Sequence, residues 1–163
     1  MRPGHVALAT LAILAALGGC GPSRPATTTD GATADGTARH AHEAYTTAIN
    51  SNNLDSVLAI VTDDVAFLSP NEPVVAGKAA FRSWAQAYLK AYTIHWDKTS
   101  TDLTVAGDWA FELYSYREHD TPKGGGAAVT DTGKGLVIYH HDADGRWRVA
   151  RDAWSSDLPA PTK

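Results

Sequence analysis

The apolar and polar positions divide the chain into a short apolar run, a polar spacer, a helical half and an alternating half. Val6 to Leu17 (VALATLAILAAL) is apolar but holds about a dozen residues, short of the roughly 20 that cross a bilayer as a helix. Residues 21–37 (GPSRPATTTDGATADGT) carry no large apolar side chain and read as a flexible spacer. From residue 38 the period is helical. Ala38, Ala41, His42, Tyr45, Ala48 and Ile49 fall on one helical face, and Asn50 to Asn53 break it. Leu54, Val57, Leu58 and Val61 form a second, shorter stripe, with Asn53 as its N-cap. Val65 to Leu68 suits a strand ended by Ser69-Pro70-Asn71. Gly77 then opens a third helix with a wide aromatic stripe from Phe81 to Tyr92.

Beyond Tyr92 the pattern alternates. Four strands are predicted, at Thr93–Ala106, Asp108–Asp120, Asp131–His141 and Arg146–Ser156. Gly107, the Gly124–Gly126 loop and Asp142–Gly145 separate them. Helices first and consecutive strands afterwards predict one α+β domain over 38–157 with an antiparallel sheet. Residues 158–163 (LPAPTK) read as an unstructured tail.

The N-terminal run changes the picture once its flanks are included. Arg2 precedes it and Leu17-Gly18-Gly19-Cys20 closes it, the layout of a secretory signal. LGGC resembles the lipobox of bacterial lipoprotein signal peptides. That resemblance implies a signal peptide over 1–19, a lipid such as palmitate on Cys20, a tether over 20–37 and a membrane-anchored, extracytoplasmic protein. In a Gram-negative host the site is the outer membrane or the periplasmic face. The alternative is an ordinary secreted protein with a cysteine near its cleavage site. Cleavage leaves 144 of 163 residues, enough for one domain with a real core. With its single cysteine acylated, the protein has none left for a disulfide. The net charge is −4 and no basic run occurs, so nucleic acid is not an expected partner.

The words AYTTAINSNNLDSVLAIVTDDVAFLSP, VVAGKAAFRSWAQAYL, GDWAFELYSY and GKGLVIYHHDADGRWRVARDAWSSD resemble the nuclear transport factor 2-like superfamily, and within it the SnoaL-like and ketosteroid-isomerase-related bacterial domains. The resemblance implies a cone, a curved antiparallel sheet wrapped on three N-terminal helices. Its open end is a pocket, and the outer sheet face forms a homodimer in many members. Because the superfamily mixes isomerases, cyclases, dehydratases and non-catalytic members, function has to be read from pocket residues.

By that resemblance Tyr45 aligns with the isomerase tyrosine that donates a hydrogen bond to the developing oxyanion. The isomerase base position is Ser69, which cannot abstract a proton from carbon, and the partner acid falls near Val137, so steroid isomerase activity is not expected. Asp152 is the remaining acid–base candidate. Alternation places it with Arg148, Ala150, Trp154 and Ser156, opposite Trp147, Val149, Arg151, Ala153 and Ser155. A carboxylate buried against aromatic surface is expected to have a raised pKa; the alternative is a structural carboxylate paired with Arg148 or Arg151, or holding a backbone amide. Glu112, Tyr114 and Tyr116 share one face of their strand, toward either the pocket or the outside. Trp84, Tyr88, Trp109, Tyr114, Tyr116 and Trp154 are the candidate ligand contacts, suited to a small apolar or aromatic ring.

The seven histidines fall into no metal-ligand spacing, and no glycine-rich loop has a nucleotide fingerprint, so no metal and no cofactor are expected. Taken together, the sequence reads as a lipid-anchored domain that binds a small ligand or a protein partner without catalysis. Two alternatives stay open: an acid–base enzyme using Asp152 and Tyr45, and an interaction or inhibitor module using the outer sheet face.

Overall fold

The computed structural model describes residues 29–159, with side chains from Gly36 onward. Cys20, the signal segment and residues 21–28 of the spacer lie outside the described residues. Helix α1 spans Thr29–Asn50, so it begins earlier than the predicted start at Ala38, and residues 29–37, read from the sequence as flexible spacer, are helical instead. Ala38, Ala41, Tyr45 and Ala48 are all buried, so the predicted apolar face is the one that meets the sheet.

The asparagine break after α1 does more than stop a helix. Asn52 takes a left-handed φ of 52°, which asparagine tolerates. The Asn52 side chain accepts from Ile94 N at 2.7 Å and donates to Ile94 O at 3.0 Å. Asn50 makes the same paired contact with Trp96, at 2.7 and 2.9 Å. These amides replace a missing neighbour for strand β3 (Tyr92–Ala106), which lies at the end of the sheet.

Helix α2 spans Leu54–Ala59, and its N-cap Asn53 accepts from Ser56 N at 3.0 Å. Strand β1 runs Val61–Leu68. Val61 therefore belongs to the strand rather than to the helical stripe predicted for it, because it pairs with Val149. A two-residue strand, β2 (Val75–Ala76), pairs with β1 and was not anticipated. Gly77, at φ 81°, leads into α3 (Lys78–Ala91). Strands β3, β4 (Trp109–Pro122), β5 (Val129–His141) and β6 (Trp147–Ser156) follow as a meander. The sheet order is β2-β1-β6-β5-β4-β3. Every pairing is antiparallel except β1 with β6, which is parallel.

Two features shape the inner face. Gly133 and Gly135 pair with Tyr116 and Tyr114 across β4–β5. A Cβ on Gly135 would stand 2.7 Å from Ala153 O and closer still to the Tyr114 ring, so only glycine lets that ring lie flat on β5. In β6, Ala150 is the extra residue of a bulge between the pairs Tyr139–Val149 and Ile138–Arg151. Strict alternation would set Val149 and Asp152 on opposite faces. The bulge brings both inward, at 1% and 0% exposure, and turns Arg148 away from Asp152.

Candidate functional site

Asp152 stands on β6 directly across from Val137 of β5. Val137 is the position at which the isomerase resemblance looked for a second acid. The inward carboxyl is thus one strand over. Tyr45, reaching in from α1, donates to Asp152 Oδ2 at 2.5 Å, and Tyr114, from β4, donates to Oδ1 at 2.8 Å. Neither arginine named as a structural partner touches it. Arg148 pairs with Asp142 and Asp144, and Arg151 with Asp64. Burial raises the Asp152 carboxyl to about 6, against the lowering effect of the two tyrosine hydrogen bonds and of Lys98. Burial and the adjacent carboxylate likewise push the Tyr45 hydroxyl well above its ordinary range.

A cavity of about 200 Å³ opens against this carboxyl. Trp84 and Tyr88 of α3, Trp96 of β3, Trp154 of β6, and Phe67 and Phe81 form its aromatic wall. Phe81, Trp84 and Tyr88 stack in series along α3, at 6.0 and 5.6 Å between ring centres. The Phe67 ring meets Trp154 edge to face. Ser69 also lines the cavity, and its Oγ has no hydrogen-bond partner among the described residues.

Of the eight residues predicted for the site, Asp152, Tyr45, Trp84, Tyr88 and Trp154 line one cavity. Tyr114 and Tyr116 face inward but are sealed, with their hydroxyls on Asp152 and Asp131. Trp109 is a correction. It projects from the outer face, where its ring packs on His140 at 4.5 Å and borders a separate hollow with Arg148. Its neighbour Ala110 takes the inward position, as alternation along β4 requires.

Sequence reasoning missed the polar group behind the aromatic floor. Lys98 Nζ lies 2.5 Å from Glu112 Oε2, Tyr139 donates to the same oxygen at 2.7 Å, and His42 Nδ1 lies 2.5 Å from Oε1. The Lys98 ammonium also sits 4.3 Å from the Tyr114 ring centre. Burial opposes the charged form of Glu112, but His42, Lys98 and Tyr139 outweigh it and bring the carboxyl to about 2. Burial lowers the Lys98 ammonium against the pull of Glu112. The signal for Lys98 was present, since it shares its parity with the inward Trp96. Glu118 was equally legible from Glu112, Tyr114 and Tyr116. It lines the cavity, and burial with the neighbouring Asp120 and Asp131 carboxyls pushes it up to about 8.

Among the described residues, no three His, Cys, Asp or Glu side chains come together as a metal-binding group. None of the described helices is long and apolar enough to cross a membrane. On the face opposite the cavity, Phe111, Leu113 and Leu136 are exposed.

A family model described as a SnoaL-like domain matches residues 42–150. No curated protein matches the sequence. Among solved structures, the chain is similar to a ketosteroid isomerase-like protein from Erwinia carotovora atroseptica SCRI1043. The identity is 24%, over 77% of this chain and 97% of that one, with a TM-score of 0.69. A conserved protein from Planctomyces limnophilus DSM 3776 matches at 22% identity over 77% and 98%, TM-score 0.69. A nuclear transport factor 2-like superfamily protein from Salmonella enterica serovar Typhimurium LT2 matches at 14% over 81% and 95%, TM-score 0.66. At these identities the likeness is one of fold.

Proposed function

This chain belongs to the SnoaL-like domain family, and from that premise we propose that it is a binding domain for a small, largely apolar or aromatic molecule. We further propose that it works outside the cytoplasm, anchored by a lipid on Cys20. One observation carries the binding reading: an aromatic-walled cavity ends on the fully buried Asp152 carboxyl, held by two tyrosine hydroxyls. Apolar walls supply affinity through burial, and a fixed polar group orients the ligand. Both Asp152 oxygens already accept a tyrosine proton, which suits an anchor better than a free base. Ser69, at the isomerase base position, has no basic group to offer.

A second reading is acid–base catalysis of the isomerase, cyclase or dehydratase type. The favouring observation is that Tyr45 touches Asp152 at 2.5 Å and that this carboxyl is raised to about 6. Asp152 would take the proton and Tyr45 would stabilise the oxyanion. The signal layout around Cys20 supports the anchor.

Mass spectrometry of small molecules released from the gently purified full chain tests binding. A single-ring compound released by the wild type and absent from Trp154→Asp supports it, and an empty wild-type cavity with no uptake of added aromatics overturns it. Labelled palmitate entering the wild type but not Cys20→Ser supports the anchor; no incorporation overturns it.

A further inference from the structure

The cavity has one sign of charge. Its lining includes the carboxyls of Glu72, Glu118 and Asp152, and no lysine, arginine or histidine. The nearest interior cation, Lys98, is fully buried and held on Glu112. Behind Glu118, Asp120 is 1% exposed; Tyr88 donates to its Oδ2, and the raised Glu118 carboxyl shares a hydrogen bond with it. The Ser69 hydroxyl in the lining is unmatched. Carboxyls and a hydroxyl oxygen are acceptors, and aromatic faces are electron-rich.

We infer that the cavity takes a small organic cation, an aromatic or alkyl ammonium, held between the faces of Trp84, Tyr88, Trp96 and Trp154 and the carboxyls of Glu72, Glu118 and Asp152. This inference rests on the reading of the cavity as a ligand site and adds the charge of its occupant. A cation over a tryptophan or tyrosine face gains most when desolvated. The ammonium also supplies a donor for the unmatched Ser69 oxygen. An anionic ligand would meet three carboxyls and no donor of positive charge. As to size, an apolar cavity of about 150 Å³ holds benzene, so about 200 Å³ suits one ring bearing a short charged arm.

Three probes of one size and different charge test this: benzylamine, benzyl alcohol and benzoate, titrated calorimetrically into the full chain at constant salt and pH 7. Benzylamine is expected to bind at least about tenfold tighter than benzyl alcohol, the range of a desolvated cation–π contact, and benzoate weakest. At pH 7 Glu118, pushed up to about 8, holds a proton that it releases when an ammonium binds, and Glu118→Gln is expected to cut that preference severalfold. Glu72→Gln, at an exposed position, is expected to cut it severalfold and serves if the buried variant does not fold. Equal binding of benzylamine and benzyl alcohol overturns the charge inference while the binding reading stands. A benzoate preference overturns it too. Binding of none of the three overturns both.

Discussion

The Tyr45 hydroxyl, from the first helix, donates at 2.5 Å to Asp152 on the last strand, 107 positions away. This contact ties the two ends of the domain together at the base of the cavity. It also lets a carboxyl survive at 0% exposure, because a buried acid needs donors that replace water. Removing the hydroxyl leaves one oxygen unmatched. Tyr45→Phe is therefore expected to raise the Asp152 carboxyl above about 6 and to cost about 1–3 kcal/mol. Carbon-13 NMR titration of the carboxyl and urea unfolding check the two effects. An unchanged titration would show that the contact does not form in solution.

The polar group behind the floor makes a different prediction. Lys98→Met leaves the Glu112 carboxylate buried without its cation, a change that costs about 3–5 kcal/mol. Adding Glu112→Gln removes the stranded charge and keeps an acceptor for Tyr139, so the double variant is expected to recover more than half of the loss. Chemical denaturation of the three proteins measures this. A double variant no more stable than the single one would contradict the pairing.

Glycine at 135 is required by the ring beside it. Gly135→Ala forces a Cβ into Tyr114 and toward Ala153 O, and overpacking of this kind costs about 1–3 kcal/mol or more. A Cβ on Gly124, in the β4–β5 loop, would meet nothing within 4 Å, and Gly124→Ala is expected to leave thermal stability within about 0.5 kcal/mol of wild type. Melting curves of the pair separate a packing requirement from general intolerance in the strand.

Glu118 predicts a pH dependence of stability. Its carboxyl titrates at about 8 in the folded chain against the ordinary 4.5, through burial, Asp120 and Asp131. Between those values the folded state holds a proton that the unfolded state has released, so stability falls as pH rises across the window. Asp152, raised to about 6, contributes in the same direction only up to its own pKa. The decline from pH 6 to 8 is thus the part that Glu118→Gln is expected to flatten, as read from melting temperatures of both proteins across that range. Parallel curves for the two would contradict it.

Much of the fold was legible because helices and strands are written in local periodicity. The Phe81–Leu89 stripe and the four alternating stretches match α3 and β3–β6 to within a few residues. Val61 was misread because its strand state depends on a partner, Val149, far along the chain. The site was half legible. Asp152 and Tyr45 stood out as residues, but only the bulge at Ala150 decides which neighbours share the Asp152 face. Trp109 shows the converse: an aromatic residue beside others of its kind is placed by parity, and its parity points outward.

By itself, then, the sequence determined the order of every element but β2 and the residue types available for chemistry, because both follow from local pattern and side-chain identity, and its resemblance to known domains pointed to the superfamily. Only the tertiary structure decided which carboxyls become acidic or basic for their type. Glu112 near 2, Asp152 near 6 and Glu118 near 8 are ordinary acids in the chain. Their differences come from which donors, cations and like charges the fold sets against each one once water has been removed.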